Sequence, residues 1–330
     1  MSARRAQSGV ALVTAVMIVA IAAAIAVQIA FAHQIWFRQM ENVADRDATD
    51  WLRRGALHWA SLALLEDAAQ SSNDYLGESW AIGLPILPVE GGTIKVSIED
   101  AQGRFNLNSV VNPASLQILN QLLQVLRLDP QLANAVLDWI DTDDLVSAGG
   151  AEDVDYLNFN PPYRAANQPM ASVDELRLIR GFDAKTVAAL LPYVTVLPVA
   201  TNDINVNTAS PVVLAALTGV DLQTAQRIAE QRGSTAYKDI GEFKSKLPRG
   251  LTLPTAGMVL KTDFFLVTLD TSIGRHERRT EALLQRLSNK STALIWHRPQ
   301  PLIGSDEPDE PPSSDEPGKS PSSDEPGKSP

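Results

Sequence analysis

The chain has 330 residues, 45% of them hydrophobic, which suits two or three globular domains with a real core. It has no cysteine, so disulfides, thiolate metal sites and cysteine nucleophiles are excluded. The net charge is −11, and Ser305–Pro330 holds eight acids against two lysines, so about half of the excess sits in that tail and neither part suits a polyanionic partner.

Arg4 and Arg5 are the only charged side chains before Arg38. Val10 to Ala32 then runs apolar, broken only by Thr14 and Gln28, long enough for a helix across a bilayer. A secretory signal core is shorter, about 7–15 residues, although the alanines around Ala22–Ala24 leave a cleavage reading open. The arginines place the N-terminus in the cytoplasm and the rest of the chain outside. From Trp36 to Leu65 there is no proline, and Trp51, Leu52, Leu57, Leu62 and Leu65 recur at roughly helical spacing. One helix over residues 10–66, apolar over 10–32 and amphipathic beyond, is the simplest reading.

A short basic leader ending in Gly9, then Val10, then this helix resembles a type IV pilin or pseudopilin. The resemblance implies that a prepilin peptidase cuts the leader 1–9 after Gly9 and methylates the amine of Val10. Most of that family carries Glu at the fifth mature position, thought to pair with a neighbour's N-terminal amine; here the position is Thr14. A subunit without that Glu suits the end of a fibre. A plain single-pass anchor remains the alternative for this stretch.

Residues 67–108 read as the first part of a sheet. In GGTIKVSIED the apolar Ile94, Val96 and Ile98 alternate with Lys95, Ser97 and Glu99, a period of two. Gly91-Gly92 suits a hairpin, and GRFNLN supplies a partner strand. Residues 109–257 read as helical, with Asn112-Pro113 and Asp129-Pro130 as helix starts. Strand patterns return over 258–299, although RRTEALLQRLSN also fits a helix. The tail 300–330 repeats SSDEPGKSP and is expected to be disordered.

Two segments, Ser172–Leu190 and Ser210–Ile228, match position by position: Leu176 with Leu214, Gly181 with Gly219, Asp183 with Asp221. Each reads as helix, glycine turn, helix, and Ser172 with Glu175 makes a capping box. The second unit resembles a helix-hairpin-helix module. Nucleic-acid versions commonly carry a second glycine where this chain has Asp183 and Asp221, whose carboxylates repel phosphate. Packing or protein contact is therefore expected in preference to nucleic-acid binding.

The segment 138–160 holds Asp138, Asp141, Asp143, Asp144, Glu152, Asp153 and Asp155. Oxygen-only ligands with no His or Cys nearby suit a hard ion such as Ca²⁺, the bland alternative being a solvated loop. An EF-hand counted from Asp141 places Asp143 third and Glu152 last but puts Val146 at the turn-glycine position, which argues against it.

The Asp-rich turn, GAED, a Tyr, PPY and SVDELRLIRG together resemble the minor pseudopilin K family of type II secretion systems, over roughly residues 1–300. That resemblance implies an α+β pilin-like fold, a long N-terminal helix packed on an antiparallel sheet, with a large all-α insertion. It implies bound Ca²⁺, with Asp141, Asp143, Glu152, Asp153 and Asp155 as ligands among many combinations. It further implies a place at the tip of the pseudopilus and a role in its assembly and in export. The partners implied are the minor pseudopilins I and J, the prepilin peptidase and inner-membrane lipid, with secreted substrates or the secretin beyond them, and no nucleic acid. The location implied is the inner membrane, single-pass, with the main domain periplasmic.

No enzyme motif is found. His33, His58, His276 and His297 are scattered, and no phosphate-binding glycine loop or Gly-x-Ser-x-Gly turn is present. The alternative function is a membrane-tethered DNA-uptake protein using the helix-hairpin-helix copies.

Overall fold

The computed structural model describes residues 4–300 apart from 234, 252, 254–256 and 275. The tail from 301 onward and the first three residues of the leader lie outside the described residues.

Helix α1 runs unbroken over Arg4–Gln70, 67 residues, about 100 Å at 1.5 Å per residue. Its side chains from Val10 to Glu41 are exposed, and the first buried one is Thr49. Beyond it the buried stripe is Ala56, Leu57, Ala60 and Leu64. This differs from the expected leucine and tryptophan stripe: Trp51 is 71% and Leu62 is 53% exposed. Two alanines in the stripe let the helix approach a sheet closely, and the larger side chains flank the contact.

The sheet has five strands, all neighbours antiparallel: β1 (Leu87–Val89), β2 (Gly92–Asp100), β7 (Phe264–Ile273), β8 (His276–Leu287) and β9 (Ser291–Gln300), in the order β1-β2-β7-β8-β9. Alternation puts Ile94, Val96 and Ile98 of β2 and Phe265, Val267 and Leu269 of β7 on the face that meets α1. The segment RRTEALLQRLSN, for which the helical period also fitted, is strand β8, because Ala282 and Leu284 are needed in that layer. The turns around Gly274 and Ser288–Lys290 join consecutive strands.

Among the described residues, every other helix lies in sequence between β2 and β7. These are α2 (Pro113–Val125), α3 (Leu132–Ile140), α4 (Asp153–Tyr156), α5 (Ala184–Leu190), α6 (Pro211–Thr218), α7 (Leu222–Arg232) and α8 (Ile240–Ser245). They enclose their own core, with Leu119, Leu122, Val136, Leu176, Leu214 and Phe243 fully buried at its centre. The chain leaves the sheet at Asp100 and returns at Phe264, and Asp100 and Phe265 are register partners.

Three boundaries differ from those read in the sequence. GRFNLN does not join the sheet: β3 (Phe105–Asn106) pairs in parallel with β4 (Val194–Thr195) inside the helical region. The reason is local, since Asp100 Oδ1 accepts from the Gln102 N–H at 2.7 Å and turns the chain into a 3-10 helix over Ala101–Gly103. At the far end, β6 (Met258–Val259) pairs with β5 (Ile204–Asn205), so the sheet resumes only at Phe264 and not at 258. Asp129-Pro130 forms a turn, with Gln131 N–H donating to Asp129 Oδ1 at 2.9 Å, and α3 begins at Leu132.

The two matched segments do form helix-turn-helix pairs, although the first helix of the first copy, Val173–Leu178, is 3-10. Their turns place Gly181 and Gly219 at positive φ of 89° and 72°. Asp183 and Asp221 cap the second helices, accepting from the N–H groups of Thr186 and Thr224 at 2.7 and 2.9 Å. These carboxylates occupy the backbone donors that a phosphate would need.

A polar seam joins the two cores. Asp100 Oδ2 accepts from Asn205 Nδ2 at 2.8 Å and from the hydroxyls of Thr208 and Thr262 at 2.6 Å each. Burial pushes the Asp100 carboxyl up to about 6, against the lowering effect of those three donors.

Candidate metal centre

The acidic segment is built on the end of α3. Asp138 lies in its last turn, fully buried, and Asp141 caps its C-terminus. The chain then folds back: Asn134 Nδ2 donates to the Ala148 carbonyl at 2.8 Å, and Ser147 N–H donates to Asp138 Oδ2 at 2.9 Å. Gly149 has φ of 84°, and at Gly150 a Cβ would lie 1.9 Å from Asp138 Oδ2, so a side chain there would displace the Asp138 carboxylate. Glu152, 2% exposed, then precedes α4.

This path brings one carboxylate oxygen each of Asp141, Asp143 and Glu152 to within 4.8 Å of one another. Asp138 stands beside them and is the charge that acts most strongly on Glu152. Burial first, and then the charges of Asp138, Asp141, Asp144 and Asp143, push the Glu152 carboxyl up to about 7. Burial and the charges of Asp143 and Asp138 likewise raise Asp141. Asp138 Oδ1, Asp141 Oδ1 and both oxygens of Glu152 are buried with no hydrogen-bond partner. Four orphaned oxygens in one place, with mutual repulsion unrelieved, match the needs of a hard divalent cation. The donor set therefore fits Ca²⁺.

Of the five ligands expected, three converge. Asp153 and Asp155 do not join them, because both are engaged elsewhere. Asp153 accepts from Arg164 Nη1 at 2.9 Å and from the Ala165 N–H at 3.0 Å. Asp155 accepts from Arg180 Nη1 at 3.0 Å and from the Glu152 N–H at 3.3 Å. Asp138, one helical turn before Asp141, adds its charge beside the three and has its Oδ1 buried without a partner. Beneath the loop, Trp139 and Tyr156 pack edge to face at 5.2 Å, and Trp139 Nε1 donates to Glu175 Oε2 at 3.2 Å.

Fold and site together define an α+β protein with one N-terminal helix long and apolar enough to cross a membrane, and an acidic loop suited to a hard cation. Family models described as "Type II secretion system (T2SS), protein K" match residues 103–199 and 204–260. The chain is 31% identical over 319 residues to the type II secretion system protein K of Aeromonas hydrophila, spanning 88% of this chain and 96% of that one. It is 33% identical over 303 residues to that of Pseudomonas aeruginosa, spanning 86% and 90%. Its fold matches a chain in the crystal structure of the GspK-GspI-GspJ complex from enterotoxigenic Escherichia coli with a TM-score of 0.73 at 25% identity, covering 80% of this chain and 100% of that one. The chain belongs to the type II secretion system protein K family, the minor pseudopilins.

Proposed function

We propose that this chain is the subunit at the tip of the type II secretion pseudopilus, where it helps to start assembly and supports export of folded proteins. The observation that carries this reading is at Thr14. Its hydroxyl donates to the Val10 and Ala11 carbonyls of its own helix at 3.1 and 3.0 Å. It carries no charge for a neighbour's terminal amine, so the helix suits a position with no subunit above it. The bulk of the helical region between β2 and β7 supports the same position, since a subunit stacked on it would collide.

In this reading the fold is pilin-like, α1 packed on the antiparallel sheet, with the helical region as an insertion. The prepilin peptidase releases Val10 as the mature N-terminus, residues 10–32 sit in the inner membrane, and the sheet and helical region stand in the periplasm. The partners are the I and J minor pseudopilins, as in the complex named for the solved relative. The exported proteins and the secretin come next in line. Asp138, Asp141, Asp143 and Glu152 would hold Ca²⁺, whose charge offsets the repulsion that otherwise opens the loop; its role is structural. The experiment is deletion of the gene in its host. Accumulation of the exported proteins in the periplasm, reversed by the intact gene, supports the reading, and undiminished secretion overturns it.

A further inference from the structure

A second group of carboxylates stands in the interior, at the joint between α1, the sheet and the helical region. Asp67 near the end of α1, and Asp74 and Glu78 before β1, bring one oxygen each to within 4.8 Å of one another. Asp67 Oδ2 accepts from Arg286 Nη1 at 3.3 Å. Asp74 Oδ2 accepts from Arg286 Nη2 and from the Thr262 N–H. Glu78 Oε2 accepts from Trp80 Nε1 at 2.8 Å and from the Tyr75 N–H at 3.1 Å. Each carboxylate thus has one oxygen held by the protein. On the other side Glu78 Oε1 is buried without a partner, in a residue only 7% exposed.

The charges do not balance. Three carboxylates face the one guanidinium of Arg286, which leaves two formal negative charges in excess in a dry setting. Uncompensated buried charge is strongly unfavourable, because desolvation penalises the charged form. A divalent cation cancels the excess in one step. The donors are all oxygen, which selects a hard ion of the Ca²⁺ type, with water or carbonyl oxygens completing its shell.

We propose that Asp67, Asp74 and Glu78 form a second divalent-cation site, separate from the loop on α3. Arg286 keeps the oxygens it already holds, and the ion takes the remaining ones. It braces the end of α1 against β8 and against the segment that leads into the sheet. The inference does not depend on the proposed place at the pseudopilus tip.

The test uses the full chain in detergent with the loop site disabled by Asp143→Asn and Glu152→Gln. The probe is Tb³⁺, with metal content counted by mass spectrometry in parallel. Trp80, hydrogen-bonded to Glu78, is the antenna that sensitises Tb³⁺ emission at this site. The expected result is emission that saturates at about one ion per chain and is displaced by Ca²⁺. Glu78→Gln in the same background removes both the emission and the ion while circular dichroism stays unchanged. Should that variant fail to fold, Asp67→Asn, which keeps a partner for Arg286, is read instead and is expected to weaken Tb³⁺ binding at least tenfold. The proposal is overturned if the loop-disabled chain binds no ion, or if both variants leave the content unchanged. It is equally overturned if no metal binds and a single proton, lost in Asp67→Asn, is released near neutral pH, because the excess charge is then met by a proton shared between Asp67 and Asp74.

Discussion

Gly150 and Asp100 show how much single positions carry. A methyl group at Gly150 would meet Asp138 Oδ2 at 1.9 Å, inside contact distance, so the loop cannot close around it. Gly150→Ala is expected to cost about 1–3 kcal/mol, in the range of an overpacked interior. It should also reduce the rise in melting temperature on adding Ca²⁺, read by calorimetry with and without a chelator, leaving the part owed to the site at Asp67, Asp74 and Glu78. Asp100 gives a pH effect of definite sign. Its folded pKa of about 6 lies above the ordinary aspartate value of 3.8, so between these values the folded state holds a proton that the unfolded state has lost. The stabilisation is complete below the unfolded pKa and disappears as pH rises through about 6, a change of up to about 3 kcal/mol. Asp100→Asn should remove this share of the pH dependence in urea titrations from pH 4 to 7, leaving that of Glu152 and Asp67. Of the site, acid density marked the loop at 138–160, and the family resemblance supplied Asp141, Asp143 and Glu152 among its implied ligands. Density cannot say which acids turn inward: Asp153 and Asp155 were taken by Arg164 and Arg180, whose approach depends on tertiary folding.

At the scale of elements, the alternation in β2 and the unbroken pattern of α1 were readable because each depends on local period. The short parallel ladders β3–β4 and β5–β6 were not, because their partners lie far apart in sequence. They share a device. In FNLN, Asn106 Oδ1 accepts from the Asn108 N–H at 3.2 Å; in INVN, Asn205 Oδ1 accepts from the Asn207 N–H at 2.9 Å. The amide groups then reach across: Asn106 Nδ2 donates to the Val199 carbonyl at 2.7 Å, and Asn205 Nδ2 donates to Asp100 at 2.8 Å. These asparagines supply hydrogen bonds that two-residue strands cannot provide. Asn205→Ala leaves Asp100 and the Asp74 carbonyl short of a buried donor, and about 2–4 kcal/mol of stability should be lost in denaturant titration, read from the midpoint. At a helix end the effect is smaller. Asn112 Oδ1 accepts from the Ala114 N–H at 2.9 Å, and Asn112→Ala should cost about 1 kcal/mol.

For the whole molecule, the prediction checked first is the mass of the N-terminal peptide from the native membrane: a chain beginning at Val10 with a methylated amine is expected. Ca²⁺ at about 100 times its dissociation constant should add about 2.7 kcal/mol to stability, and a chelator should remove it. The division into a long helix, a sheet and a helical region was legible, since each has its own period and composition. The assignment of each boundary was not, because Asp100 and Phe264 mark the sheet by pairing and not by pattern.

That pairing bears on the order of folding. Strands β2 and β7 are register partners at Asp100 and Phe265, yet the whole helical region is synthesised between them. Left unfolded, that region would make the pairing a long-range search with a large loop-closure entropy. Once it has folded around its own core, its two ends are delivered side by side, and the strands zip as though joined by a short turn. The helical region thus acts on the kinetics of the sheet as a clasp. Variants that slow its folding should slow the appearance of the β2–β7 ladder by the same factor, even when they touch neither strand.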